Sequence, residues 1–121
     1  MLDAQKPGAS AIREALRGGT LIQIDDPAPA LSPFPILDAG ESAAIRVALK
    51  LSIPVLIDEK AGRKIAISLG LSVVGTVGVL LSAKKYGHIE AVSPLLDAMR
   101  EHGYYISEAL TRAALTRAGE R

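Results

Sequence analysis

Apolar and polar positions alternate between two periods along this chain, and the switches between them divide it into short elements. From Gly40 to Leu51 the residues Ala44, Ile45, Ala48, Leu49 and Leu51 recur at three- and four-residue intervals while Arg46 and Lys50 fall elsewhere, which predicts a helix. Pro54 blocks its continuation. Val55-Leu56-Ile57 is a short unbroken apolar run, the pattern of a strand covered on both faces. A second helix is predicted from Lys60 to Leu69, stopped by Gly70, then a second strand from Leu71 to Gly75 and a third helix from Val77 to Tyr86, closed by Gly87.

The flanks follow the same logic. Ser10 to Arg17 reads as a helix ended by Gly18-Gly19, and Thr20 to Ile24 as a strand ending at Asp25-Asp26. The Pro-rich loop from Pro27 to Pro35 follows, and its four prolines predict a stiff connection in which the two aspartates form a turn. Ser93-Pro94 opens a further helix to about His102, with Ser93 as N-cap. Ser107 caps the last helix, with Glu108 in its first turn and Leu110, Ala113, Ala114 and Leu115 as its buried side.

Strands separated by single helices predict parallel pairing through right-handed crossovers, hence an α/β layer with helices over a mainly parallel sheet. In such a layer the carboxyl ends of strands and the amino ends of the following helices share one edge, where ligands usually lie. Asp58 ends one strand, Thr76 another, and Glu41 opens a helix, so all three are expected at that edge. Each also has a purely structural reading. Asp38 and Glu41 fit a capping box, and Asp58 and Thr76 fit the N-caps of the helices after them. Glu41 lies on the apolar face of its own helix, which predicts an inward carboxylate in want of a cation.

Composition narrows the function classes. The 121 residues suit a single domain, spanning 1–121, that buries about two thirds of its unfolded surface. A net charge of +1 gives no strong field, so nucleic-acid binding would rest on a local patch such as Lys60, Arg63 and Lys64 beside Asp58, with Lys84 and Lys85 further on. Basic residues on an exposed helix face serve equally as solvated surface. The absence of cysteine removes disulfide and thiolate chemistry and fits a reducing cytoplasm. One Phe, three Tyr and no Trp argue against an extended base-stacking platform. His88 and His102 have no partner at metal-ligand spacing.

No nucleophile and base arrangement, Walker loop or dinucleotide fingerprint is present. The 19 uncharged residues from Ile65 to Ala83 approach the length of a membrane span. Gly70, Gly75 and Gly78 cut that run into pieces and its basic flanks are alike, so no membrane segment is expected. No secretory signal is visible at Met1.

Three motifs in order carry a family resemblance: Leu37-Asp38-Ala39-Gly40-Glu41-Ser42-Ala43-Ala44-Ile45; Leu56-Ile57-Asp58-Glu59 with Gly62-Arg63; and Gly75-Thr76-Val77-Gly78-Val79-Leu80-Leu81 with Ala83-Lys84. From about Lys6 to near the C-terminus the chain resembles a bacterial and archaeal branch of the PIN-domain family, related to the toxin ribonucleases of toxin-antitoxin pairs. The resemblance implies an α/β fold with a mainly parallel sheet and a cluster of acids that binds Mg²⁺ or Mn²⁺ and cuts RNA through a metal-activated water. Glu41 and Asp58 then match the family's acids as catalytic and metal-binding residues, with Glu59 assisting at the metal. Thr76, Arg63 and Lys64 are the candidates for substrate binding.

The family also begins with an apolar strand ending in an Asp-Thr-Ser-like turn, which supplies its first acid. Met1-Leu2-Asp3-Ala4 only imitates that start, so an N-terminally truncated domain is expected. Three consequences follow as expectations: weak ribonuclease activity, a homo-oligomer, most simply a two-fold dimer, formed at the vacated sheet position, or, alternatively, an inactive remnant that serves as an interaction module for an antitoxin-like protein.

Overall fold

The computed structural model describes residues 8–29, 34 and 36–121. Met1–Ala4, the segment that only imitates the start of the family's first strand, and most of the Pro-rich loop lie outside the described residues. The described elements are α1 (Ala9–Arg17), α2 (Ala39–Leu51), β1 (Val55–Leu56), α3 (Lys60–Ser68), β2 (Val73–Val74), α4 (Thr76–Lys85), α5 (Ser93–Glu101) and α6 (Glu108–Arg117). β1 and β2 pair in parallel, Val55 opposite Val73 and Leu56 opposite Val74, with α3 as the crossover between them. The α/β class and the parallel pairing read from the sequence are those of the structure.

The local devices explain why the central elements start and stop where they do. Asp38 caps α2 by accepting the Glu41 N–H at 2.7 Å, and the Glu41 carboxylate returns the contact by accepting the Asp38 N–H at 3.2 Å, a complete capping box. Ser52 closes α2 in the left-handed region, φ 54°, two residues before Pro54 turns the chain into β1. Gly70 and Gly87, at φ 82° and 79°, reverse the chain after α3 and α4.

Two apolar clusters organise the interior. Ile45 and Ala48 of α2, Val55 and Ile57 at β1, Ala66 of α3 and Leu37 form the first, with Phe34, Ile65, Leu71 and Val73 packed against it. Val92, Leu96, Ile106 and Ala114 form the second, joined by Val77, Leu80 and Leu81 of α4. α4 therefore has its amino end at the sheet and its apolar side on the C-terminal cluster. Ser42 is fully buried and is satisfied by accepting the Phe34 N–H at 2.9 Å.

Several sequence expectations are corrected. Val55 and Ile57 are buried but Leu56 between them is 56% exposed, so β1 is covered on one face only. Thr20–Ile24 is not a strand: the segment is irregular, with Ile22 and Ile24 largely exposed, because alternation favours an extended chain but pairing needs a partner edge and none among the described residues meets it. In α6 Ala114 is buried and Leu115 partly so, while Leu110 and Ala113 are exposed. α5 has Val92 as its N-cap, not Ser93, and its first N–H groups are satisfied from a distance by Glu120. Among the described residues no helix is long and apolar enough to cross a membrane: the run from Ile65 to Ala83 is divided among α3, β2 and α4.

Candidate active site

The carboxyl end of β1 delivers Ile57, Asp58 and Glu59 in succession, and each has a different environment because successive side chains leave an extended backbone in opposite directions. Ile57 goes into the core. Asp58 turns toward α4 and accepts two hydrogen bonds from Thr76, one from the backbone N–H to Oδ1 at 2.7 Å and one from the hydroxyl to Oδ2 at 2.6 Å. Gly75 is the N-cap of α4 and makes no side-chain cap of its own, so Asp58 supplies the anion that the amino end of this helix favours. The two capping roles read from the sequence are thereby exchanged: Asp58 caps the helix after β2 and not the one that follows it directly, and Thr76 is the first residue of α4 and not its cap.

Glu59 is the N-cap of α3 without a side-chain capping bond. Its carboxyl is held above the ordinary range, first by the charge of Glu41, then by a hydrogen bond with Glu41, then by partial desolvation and the charge of Asp38. Two carboxyl groups this close share a small volume and favour either a proton or a cation between them. Glu41 itself is half-buried, and its carboxylate serves the Asp38 N–H while facing Glu59, which is less inward than its helical phase predicts.

Arg63, one turn into α3, folds back to donate from Nη1 to the Ile57 carbonyl at 3.0 Å. A Cβ placed on Gly75 would lie 3.0 Å from that same Nη1 and 3.1 Å from Asp58 Oδ1, so the loop before α4, the arginine and the aspartate close tightly on one another, and a side chain there would have to displace them by a few tenths of an ångström. Lys64 points to solvent from α3. The edge thus holds Glu41 with Glu59, and Asp58 with Thr76 and Arg63, as two adjacent groups joined through the Asp58-Glu59 peptide. No set of three His, Cys, Asp or Glu side chains arranged to hold a metal ion occurs among the described residues. The Glu41 and Glu59 pair fits a hard cation that keeps most of its waters and takes one or two carboxylates.

Two polar networks away from this edge were not legible in the chain. Asp26 forms a two-point ion pair with Arg46, Nε to Oδ1 at 2.9 Å and Nη2 to Oδ2 at 2.5 Å, and also accepts the Ala28 N–H, which is the turn expected at Asp25-Asp26 with an added anchor on α2. Glu120 accepts the Val92 and Ser93 N–H groups at 2.8 and 3.0 Å and pairs with Lys84, whose ammonium also donates to the Ala118 carbonyl. Apart from the local Ala28 bond, these contacts span 20 to 36 residues, beyond any local pattern. His102 is a helix-end residue, its Nδ1 2.8 Å from the Ala98 carbonyl.

The described residues thus form a parallel α/β layer with carboxylates gathered at its strand-end edge. A family model described as PIN domain matches residues 2–120, and the chain belongs to the PIN-domain family. Membership points to nuclease-type function in general terms. Neither a curated protein nor a solved structure matches the chain significantly.

Proposed function

We propose that the protein is a PIN-type metal-dependent ribonuclease of the toxin kind. The observation that supports this reading is the convergence of Glu41 and Glu59, with the Glu59 carboxyl pushed up by its neighbour, at the strand end where Asp58 meets α4. Glu41 and Glu59 would hold Mg²⁺ or Mn²⁺, with Asp58 beside them. When bound, such an ion supplies charge neutralisation and an activated water for phosphodiester hydrolysis. Asp58, fixed by Thr76, sets the position of the α4 amino end relative to the acids. Arg63 keeps guanidinium N–H groups beyond the one given to Ile57, and with Lys64 offers cations to the phosphates of an RNA strand.

A homodimer accompanies this reading. Among the described residues β1 is paired only with β2, and Ile22, Ile24, Val47, Pro54 and the exposed Leu56 line an apolar groove of about 420 Å³ that includes both β1 residues. An open edge beside apolar side chains favours association.

A second reading, an inactive module that binds an antitoxin-like protein, is favoured by the commitment of both Asp58 oxygens to Thr76, which leaves two carboxylates rather than three for a metal. The deciding experiment is RNA cleavage by the purified chain in Mg²⁺ or Mn²⁺ beside an EDTA control and Asp58→Asn. Cleavage lost in both controls supports the nuclease. No cleavage above the EDTA control leaves the fold standing and selects the module.

A further inference from the structure

α4 and α6 enclose an open cleft of about 620 Å³, lined by Gly78, Leu81, Ser82, Lys84, Lys85, Arg117 and Ala118. Three cations and no carboxylate face it. Lys84 is neutralised by Glu120 and tied to the Ala118 carbonyl, a bridge that fastens α4 to the end of α6 and fixes the width of the cleft. Lys85 and Arg117 are exposed and take part in no ion pair among the described residues. Beside them Tyr86 is 70% exposed, with the Lys85 ammonium 5.5 Å from its ring centroid. Tyr104 and Tyr105 are exposed as well, and what sets Tyr86 apart from them is the cation beside its ring.

The placement has a simple alternative cause, since cations at the carboxyl ends of α4 and α6 complement the helix dipoles. That cause accounts for Lys85 and Arg117 singly but not for the cleft between them or for the exposed ring. The neighbouring cleft between α5 and α6 is also cationic, with Arg100, Arg112 and Arg121, but Glu108 lines it too and Arg100 is bound to Asp97 and Thr111.

We infer that the α4–α6 cleft is a docking site for single-stranded nucleic acid, Lys85 and Arg117 binding phosphates and Tyr86 stacking on an unpaired base. Cations that follow a backbone and a ring that accepts any base are the two parts of sequence-tolerant single-strand binding. The inference rests on the ribonuclease reading only in taking the strand to be RNA. α4 runs from Thr76 at the acidic edge to Lys85 at the cleft, about 15 Å at 1.5 Å per residue, so a strand held here reaches the edge within a few nucleotides.

The test is fluorescence anisotropy of a labelled twelve-nucleotide single-stranded RNA in EDTA, where metal-dependent cleavage cannot interfere, measured across a salt series. Lys85→Gln with Arg117→Gln is expected to weaken binding about tenfold and to reduce the slope of log affinity against log salt by about 1.4, the share of two phosphate contacts. Tyr86→Leu is expected to weaken it at least about fivefold with the slope unchanged. Arg13→Gln with Arg17→Gln removes the same charge from α1 and should leave both quantities alone. The same length of DNA separates the sources: equal affinity assigns the site to either nucleic acid, and tighter RNA binding assigns it to RNA.

Unchanged binding in the Lys85 and Arg117 variant, an equal loss in the α1 variant, or displacement of RNA by polyglutamate at equal charge concentration would overturn the assignment, the last in favour of an acidic protein segment. Strands bound but never cut would fail the nuclease reading and leave this site standing. Strands cut with unaltered binding in the cleft variants would do the reverse.

Discussion

Asp58 and Thr76, eighteen residues apart, are joined by two hydrogen bonds, so the end of β1 and the start of α4 are held as one unit at the carboxyl edge of the sheet. An aspartate that caps a helix from another element has both a structural and a chemical role, and the two separate on substitution. Asp58→Ala should cost about 1 kcal/mol of stability, the range for loss of a capping side chain. Thr76→Val, which keeps the backbone donor, should cost less. Urea unfolding of both variants gives the comparison, and equal stability of Asp58→Ala and the parent chain would remove the capping role.

Glu59 behaves in the opposite sense. Its carboxyl titrates above the ordinary glutamate value, so its contribution is most favourable below the unfolded value near 4.5 and is lost as pH rises through the folded value. Glu59→Gln should therefore raise the melting temperature at pH 7 and leave it nearly unchanged at pH 3.5. Mg²⁺ or Mn²⁺ should stabilise the parent chain at pH 7 and not this variant, by mass action on a site that the change removes. Thermal melts at the two pH values, with and without metal, test both statements, and a metal-induced shift that survives in the variant would place the ion elsewhere.

Acid should loosen the periphery. The two-point bond from Arg46 and the Ala28 N–H hold the Asp26 carboxyl down to about 2, and the Val92 and Ser93 N–H groups with Lys84 hold Glu120 down to about 2. Both are depressed, so their stabilisation is complete above the unfolded values near 4 and is lost as pH falls through about 2. Circular dichroism between pH 5 and pH 2 should show stability falling over this window, and Glu120→Gln should flatten the fall. An acid profile identical in the variant would exclude Glu120 from the effect.

Gly62 lies inside α3, where alanine would ordinarily stabilise the helix by about 1 kcal/mol. Here a Cβ would come within 2.9 Å of Ile57 Cγ2, a buried β-branched side chain of the first apolar cluster. Gly62→Ala is expected to destabilise by about 1 to 2 kcal/mol, overpacking outweighing propensity. Chemical denaturation decides by sign alone.

The homodimer proposed at the open edge of β1 predicts a two-subunit mass by light scattering at micromolar concentration. Leu56→Lys, a charge on an exposed edge residue, should shift the protein to monomer with the circular dichroism spectrum retained. A single monomer peak for the parent chain would sink the proposal.

The legible part of the fold was its local part. α2 runs from Ala39 where the periodicity predicts Gly40 and ends at Leu51 as expected, and the capping box is formed by the residues that its motif names. The spacing of helix and strand carried the parallel pairing of β1 with β2, since a single helix between two short apolar runs leaves few other connections. Thr20–Ile24 misled because alternation measures a preference for extended backbone and carries no information about a partner edge.

By itself the sequence determined which residues are helical, where helices stop, the α/β class, and the three motifs of the PIN-domain family, because caps, prolines, glycines and apolar periods act within a few residues. Tertiary structure alone decided which acids share an environment. Glu41 and Glu59 meet and Asp58 turns away to Thr76 because helix packing brings distant termini together, and the field of each carboxylate depends on those neighbours rather than on its place in the chain.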